Sequence, residues 1–478
     1  MQSSFSFILD GAVVTLDGRS AYRPTTTVLE FLRSLPGHKG VKEGCAEGDC
    51  GACTVVLGTP DDAGAMRYAA IDSCLVFLPM LQGKQLVTVE NVAAPGALHP
   101  VQQTMVDAGG SQCGFCTPGF IMSLFSLYKN NDHPSRDTID EALTGNLCRC
   151  TGYQPIVAAA QQACVHGGRD QFSAGEGRIA GLLGSMSQES FCLRTQEQEY
   201  YRPASLGEAL SLLHQHQDAV VINGASDVAL RVTKRHELIA KILDLSGIGE
   251  LKACAERGSD VELGAGASLN AVREFVSGSF PALARMISVF GSMQIRNVAT
   301  LGGNLGTASP IGDMLPVLIA CGATVVLEGM NRRREIPVGE YVVGYRTTLR
   351  RSDELIVSVR IPRLAPGTFV RSYKVSKRKD LDISSVSAGF RLELDAAGRV
   401  AAVILAFGGM AERVKRAAAV EQFLLGKPWQ RTIVEEAMGL VVRDFTPISD
   451  ARAGAEMRGV AARNLLLKFW NDTQQGHP

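Results

Sequence analysis

Eight of the chain's twelve cysteines fall into two sets of four, and their placement restricts the fold more than any other feature. Cys45, Cys50 and Cys53 follow C-x4-C-x2-C, and Cys74 comes 21 positions after Cys53. That is the ligand spacing of a [2Fe–2S] cluster. Gly44, Gly48 and Gly51 punctuate the loop. They let it wrap tightly, so that backbone N–H groups face the cluster sulfides and stabilise the more negative reduced state. The second set, Cys113, Cys116, Cys148 and Cys150, lies in Gln112-Cys-Gly-Phe-Cys-Thr-Pro-Gly119 and Asn146-Leu-Cys-Arg-Cys-Thr-Gly-Tyr153. Four thiolates suit either zinc or an iron–sulfur cluster. The C-x-C pair is tighter than the C-x2–4-C pairs of structural zinc. Both pairs stand just before predicted helix starts at Pro118 and Pro155, whose positive ends favour anionic thiolates. For the first set the alternative is a zinc site or buried thiols. Cys164, Cys192, Cys254 and Cys321 fall outside both patterns and read as incidental or buried thiols.

With 478 residues the chain is long enough for about three or four domains. Apolar residues make up 46% and charged residues 20%, a balance that supports several cores. The 48 basic and 48 acidic residues cancel, which gives no reason to expect nucleic acid or an anionic membrane as partner. No run reaches the roughly 18–20 apolar residues of a membrane span. The nearest, Met314–Leu327, contains Pro316 and Gly322 and reads as a buried core segment. Asp10 comes too early for a signal peptide, so a cytoplasmic protein is expected. Its cysteines are then read as metal-binding rather than disulfide-bonded.

Along the chain, two apolar runs flank Asp10-Gly11, a hairpin signal. Thr27–Leu35 has helical spacing and stops at Pro36-Gly37, and Thr54–Leu57 and Leu86–Val92 read as strands. Pro100–Ala108, Pro118–Lys129, Asp137–Thr144 and Pro155–His166 read as helices, with Thr117 as a cap for the second. Residues 167–195 are rich in Gly, Ser and Gln and read as an interdomain linker. Helices and strands then alternate to about residue 370, and 371–478 begins with strands and ends in helices. Leu263-Gly-Ala-Gly-Ala-Ser268 begins like a dinucleotide-binding G-x-G-x-x-G but lacks the third Gly, and reads as a structural turn.

The two cysteine sets in this order resemble the molybdenum hydroxylases, a family that includes xanthine dehydrogenase, aldehyde oxidase and carbon monoxide dehydrogenase. Gln112–Gly119 and Cys148–Tyr153 carry the resemblance most specifically. Ile222-Asn-Gly-Ala-Ser-Asp227 resembles the family's first FAD segment, and Arg296–Asp313, with its Gly-Gly-Asn-Leu-Gly core, its second. The resemblance implies a multidomain α+β chain. A β-grasp ferredoxin-like domain spans 1–91 and an all-helical [2Fe–2S] domain 92–166, with the linker over 167–195. An α/β FAD-binding domain of the vanillyl-alcohol-oxidase/PCMH type spans 196–370, and a C-terminal α+β flavoprotein domain 371–478. It implies FAD contacts from Ile222, Asn223, Gly224, Ala225, Ser226, Asp227, Phe290, Thr300, Gly303, Asn304, Thr307, Ser309, Asp313, Ile356 and Lys374. Gly302, Gly303 and Gly306 are expected to let backbone amides close on the pyrophosphate, and Asp313 to take a ribose or adenine-side contact. Ala225 stands where many members carry a second Gly, and a backbone contact there is expected to survive with φ negative.

Gln112 and Cys150 match the family positions nearest a molybdopterin held by another domain. Clusters and FAD on one chain, with no molybdenum domain following, resemble the small subunit of the family's bacterial xanthine dehydrogenases. The implied assembly pairs it with a molybdenum-binding large subunit, two copies of each. The implied electron path runs from molybdenum through the helical-domain cluster and the ferredoxin-type cluster to FAD, and on to NAD+. No side chain here is expected to act as a general base, because the substrate site lies on the partner. Two rival readings are the same role in an aldehyde or N-heterocycle hydroxylase, and a zinc-stabilised, non-redox binding module.

Overall fold

A computed structural model describes residues 1–61, 63–166, 170–186 and 188–474. The chain divides into two compact units: Met1–Gly249 with Ser292–Ala299, and Glu250–Gly291 with Thr300–Pro478.

The first unit opens with a five-stranded sheet in the order Ala12–Asp17, Ser4–Leu9, Gln85–Val87, Thr54–Pro60, Met66–Asp72. Ser4–Leu9 and Ala12–Asp17 form the expected hairpin. Asp10 and Gly11 both take positive φ, 47° and 89°, as a two-residue turn between twisted strands requires. Ser4–Leu9 runs parallel to Gln85–Val87, so residues 18–84 cross over between them, and the helix Val28–Ser34 lies in that crossover. Thr27 caps this helix, accepting from the Glu30 N–H, and Val28, Leu29, Phe31 and Leu32 turn inward. Leu86–Val92 is a strand only to Val87. Thr88 then gives its N–H and its hydroxyl to the Asp10 carboxylate, and Val89–Asn91 tightens into a 3-10 turn.

The four expected helices are present as Pro100–Asp107, Thr117–Asn130, Arg136–Leu143 and Gln154–Ala163. Thr117 does not cap the second. It is that helix's first residue, Cys116 stands at the cap, and the Thr117 hydroxyl bonds to Ser111. The segment read as a linker is also more ordered than its composition implied, because Gln171–Ser185 is a helix whose Ile179 and Leu183 enter the core of the helical domain. A four-stranded sheet completes the unit, in the order Phe191–Arg194, Glu199–Arg202, Lys241–Asp244, Val220–Ile222.

The second unit holds a five-stranded antiparallel sheet (Cys254–Arg257, Asp260–Gly264, Leu355–Pro362, Thr324–Gly329, Arg332–Pro337) and a four-stranded antiparallel sheet (Phe369–Val375, Val386–Leu394, Val400–Gly408, Lys415–Arg416). Helices including Ala455–Gln474 pack over the latter through Leu465, Leu466 and Phe469. Met314–Ala320 is a buried helix, as its apolar run suggested. Leu263–Ser268 is a turn from the end of a strand to the cap of the helix Leu269–Val276, with Gly266 N–H bonded to the Leu251 carbonyl. Among the described residues no helix is long and apolar enough to cross a membrane.

One buried charge cluster ties the helix Gln171–Ser185 down. Asp170 caps it through Ser173 N–H at 2.8 Å, and its carboxylate also meets His99 Nε2 and Lys129 Nζ, each at 3.0 Å. All three side chains are at most 4% exposed. Burial alone would raise the Asp170 carboxyl, but the hydrogen bonds from His99, Ser173 and Lys129 outweigh it and hold it below the ordinary range. The folded value lies below the unfolded one, so the stabilisation is complete above the unfolded carboxyl range near pH 4. It is lost as pH falls through the depressed value. Asp170→Asn should therefore destabilise this helix by about 1–3 kcal/mol at pH 7, because Lys129 loses one of its two carboxylates and keeps Glu176 at 3.0 Å. Hydrogen exchange along 171–185 checks this: the gap between wild type and variant should narrow on acidification below pH 4, and equal protection at pH 7 would contradict it.

Candidate functional site

Cys45, Cys50 and Cys53 of the first set sit on a loop that reverses its backbone three times, and Cys74 lies in the 3-10 turn Ser73–Leu75. Ala46, Gly48 and Gly51 take φ of 55°, 75° and 66°. The loop folds round Cys45, whose Sγ accepts from Glu47 N–H at 3.4 Å and Asp49 N–H at 3.2 Å. Cys53 and Cys74 are 2% and 1% exposed, with their sulfurs 3.5 Å apart. Cys45 and Cys50 form the other pair. The hydrogen bond from Cys45 lowers Cys50 to about 7, and the same bond raises Cys45.

The second set pairs in the same way. Cys113 bonds to Cys150, and Cys116 to Cys148. Burial, with the contact to Cys148, pushes Cys116 up to about 12. Cys148 receives a hydrogen bond from the Thr151 hydroxyl at 3.2 Å, and its own N–H donates to the Tyr153 hydroxyl at 3.0 Å. Tyr153 turns the chain with φ of 68° into the helix Gln154–Ala163. Cys113 and Cys116 thus precede one helix start, and Cys148 and Cys150 the other, as the sequence indicated.

All twelve cysteines are free thiols. Among the described residues no three His, Cys, Asp or Glu converge as the ligands of one ion would, whereas the eight cysteines converge two by two. Two pairs per site fit a two-iron cluster, in which each iron takes two thiolates. One zinc would draw four sulfurs around a single point. The pairing therefore passes the test of fit for iron–sulfur.

The two loops meet directly. Leu147 N–H donates to the Cys50 carbonyl at 3.0 Å, and Asn146 Nδ2 to the Gly51 carbonyl at 3.1 Å. Gly51 cannot be otherwise: a Cβ there would stand 2.3 Å from the Gly145 carbonyl oxygen, and its φ is positive. Asp72, which sequence reasoning passed over, is fully buried beside the first set. Its Oδ1 lies 3.7 Å from Cys53 Sγ, and its Oδ2 has no partner. Only its position two before Cys74 could have drawn attention to it.

The residues expected to contact FAD divide between the units. In the first unit Ile222 ends a strand, and 223–228 leads into the helix Ala229–Thr233. Asn223 and Ser226 are half-buried and Asp227 is exposed. Ala225 is buried with φ of 57°, not negative as expected. Its N–H direction is that of a glycine turn, at a cost of about 1–2 kcal/mol for the Cβ.

In the second unit the glycine-rich segment is the helix Leu301–Thr307, capped by Thr300. Two of the amides expected to close on a pyrophosphate are already engaged. Gly302 N–H bonds to the Ala265 carbonyl at 2.8 Å, and Gly303 N–H to the Thr300 hydroxyl at 3.1 Å. Gly302 is required for packing, because a Cβ there would lie 2.7 Å from that same carbonyl oxygen. Asp313 is likewise engaged. It accepts from Ser384 Oγ at 2.5 Å and pairs with Lys374 Nζ at 2.9 Å, with both charged side chains at most 5% exposed. Lys374 also donates to the Val289 carbonyl at 3.0 Å. Ile356 is buried, and Phe290, Thr307 and Ser309 are half-buried. Asn304 fits a ligand: its Oδ1 is buried with no protein partner.

Fold and paired thiols suit an iron–sulfur protein, the unpartnered Asn304 leaves one acceptor open to a further ligand, and the family models name that ligand's class as a flavin. Four family models match in succession: 2Fe-2S iron-sulfur cluster binding domain over 14–78, [2Fe-2S] binding domain over 88–161, FAD binding domain in molybdopterin dehydrogenase over 194–364, and CO dehydrogenase flavoprotein C-terminal domain over 371–473. Xanthine dehydrogenase of Emericella nidulans is 33% identical, over 98% of this chain and 38% of its own length. That of Oryza sativa is 30% identical, over 93% and 38%. Among solved structures, the fold is similar to a chain of carbon monoxide dehydrogenase from Hydrogenophaga pseudoflava (TM-score 0.54, 29% identity, 57% of this chain and 95% of that one). It is also similar to quinoline 2-oxidoreductase from Pseudomonas putida 86 (TM-score 0.54, 25% identity, 58% and 96%). The chain belongs to the molybdenum hydroxylase family, as an electron-transfer chain with two [2Fe–2S] domains and an FAD-binding domain. It spans 38% of the length of the E. nidulans relative.

Asn304→Ala should weaken FAD binding by about 1–3 kcal/mol, the cost of losing a hydrogen bond in a dry site. Flavin titration of the deflavinated chain measures it, and an unchanged affinity would place the site elsewhere.

Proposed function

We propose that this chain is the electron-transfer subunit of a xanthine dehydrogenase. In this reading a partner subunit holds the molybdenum cofactor and oxidises hypoxanthine and xanthine to urate, and NAD+ is the final acceptor. The observation that carries the partner is the exposure of the second cysteine set. Cys113 and Cys150 are exposed, and Phe115, Leu147 and Tyr153 beside them are 48%, 39% and 40% exposed. An open pair of thiolates edged by apolar side chains suits a centre that exchanges electrons with another protein. Cys53 and Cys74 of the first set, by contrast, are sealed.

Cys45, Cys50, Cys53 and Cys74 hold one cluster, and Cys113, Cys116, Cys148 and Cys150 the other. Gln112 and Cys150 face the partner's pterin. Ile222–Asp227, Phe290, Thr300, Gly303, Asn304, Thr307, Ser309, Ile356 and the Asp313–Lys374 pair serve FAD. When bound, the clusters carry one electron at a time and the flavin joins those steps to a two-electron acceptor. The residues here position and tune. Glu47 and Asp49 N–H groups donate to Cys45 sulfur, Thr151 donates to Cys148, and Asp313 and the Val289 carbonyl hold the Lys374 ammonium in place. The assembly is two small and two large subunits in the cytoplasm, where reduced thiols persist.

A second reading, the same role in an aldehyde or N-heterocycle hydroxylase, draws support from the likeness to quinoline 2-oxidoreductase. Substrate is chosen at molybdenum, outside the four matched domains. Co-purification of the partner followed by xanthine–NAD+ assay separates the two. Turnover of a quinoline or an aldehyde in place of xanthine would favour the second reading.

The isolated chain should not oxidise xanthine but should pass electrons from NADH to a dye. In the full complex, Cys150→Ser should abolish xanthine–NAD+ turnover while largely sparing NADH–dye activity. Xanthine turnover by the chain alone would overturn the subunit role, and absent NADH–dye activity in the flavin-loaded chain would overturn NAD+ as acceptor.

A further inference from the structure

Ser292–Ala299 folds with the iron–sulfur unit, although the FAD-binding family match runs across it. The segment is fastened at three places. Arg296, fully buried, pairs with Glu141 at 2.8 Å. Asn297 Nδ2 donates to the Ala70 carbonyl at 2.8 Å, on the strand that leads to Cys74. The third fastening is a closed triangle of buried side chains. Gln294 Nε2 donates to Ser123 Oγ at 2.9 Å and to Asn146 Oδ1 at 3.0 Å, and Ser123 Oγ donates to the same Asn146 oxygen at 2.6 Å.

The triangle decides which way Asn146 faces. Two donors converge on its oxygen, so its nitrogen must lie on the opposite side. There it donates to the Gly51 carbonyl and to Thr54 Oγ1, both at 3.1 Å. Gly51 lies between Cys50 and Cys53, and Asn146 lies two residues before Cys148. Without Gln294 one of the two donors that fix the amide is gone. A reversed Asn146 would set its oxygen against the Gly51 carbonyl oxygen, a repulsive contact. Gln294 is 0% exposed, so no water replaces its N–H groups without a cavity being made.

We propose that Gln294 is a positioning residue for electron transfer. It orients Asn146 so that the loop carrying Cys50 and Cys53 is held at a fixed distance from the loop carrying Cys148 and Cys150. This rests on the reading that the two cysteine sets hold the two clusters. Electron transfer falls steeply with distance, and two reduced clusters split each other's magnetic signals in a distance-dependent way. A fixed joint therefore has both a functional and a spectroscopic consequence. Orienting Asn146 also fixes the Gly51 peptide within the first cysteine loop, and backbone dipoles there set how readily that cluster is reduced.

The test uses the complete chain loaded with both clusters and FAD, as wild type, Gln294→Met and Ser123→Ala. Gln294→Met keeps the shape and removes both donors, and Ser123→Ala removes the other donor to Asn146 without touching either cysteine loop. Electron paramagnetic resonance of the reduced protein, with a redox titration of each cluster, supplies the readout. In both variants iron content should stay at the wild-type level and both signals should persist. Their mutual splitting should diminish, and the potential of the first cluster should fall. Unchanged splitting and potentials in iron-loaded variants would overturn the proposal. So would loss of both clusters together in both variants, which marks a purely structural role. Absence of iron from the wild type would instead overturn the underlying assignment.

Discussion

The iron–sulfur unit depends on two carbonyls. Cys50 and Gly51 each accept one hydrogen bond from the segment that precedes Cys148, through Leu147 N–H and Asn146 Nδ2. These bonds make two loops, 95 residues apart in sequence at Gly51 and Asn146, into one structure. Around them the choices narrow. Gly51 cannot carry a side chain, Asn146 cannot turn over, and the backbone conformations that the first loop adopts are the left-handed ones its N–H to sulfur contacts demand. The Gln294–Ser123–Asn146 triangle satisfies the Asn146 amide on both sides, its oxygen by two donors and its nitrogen by two acceptors.

The second unit is organised around a buried charge rather than a pair of carbonyls. Asp313 and Lys374 are nearly inaccessible and lean on Ser384 and the Val289 carbonyl. A pair so enclosed loses most of its hydration and gains little net stability, but it fixes direction. Here it fixes the direction of a lysine ammonium that the Val289 carbonyl holds from the other side. Asn304 retains a buried acceptor that the protein leaves unpaired, the mark of a site shaped for something other than itself.

Local features were the legible ones. The Asp10-Gly11 hairpin and the helices before and after the second cysteine set follow from short-range rules and stand in the structure. What was not legible depends on distant partners. Thr88 leaves the strand ladder because Asp10 lies opposite it. Gln171–Ser185 carries Gly175, Gly177, Gly181 and Gly184, each unfavourable in a helix, and forms one because Ile179 and Leu183 find a core and Asp170 finds Lys129. The amides of Gly302 and Gly303 looked free for a phosphate because nothing local shows that Ala265 and Thr300 engage them. Ala225 holds a left-handed turn that its identity argues against. Gln294 sits in an ordinary polar stretch, and only the fold brings Ser123 and Asn146 to it.

A chain that joins two single-electron centres to a flavin has a fixed electron capacity. Anaerobic reductive titration of the loaded chain measures it. One electron for each cluster and two for FAD give a capacity of about four electrons per chain. That value is expected, with two separately titrating iron–sulfur signals. A capacity of about two electrons, accounted for by flavin alone, would contradict it.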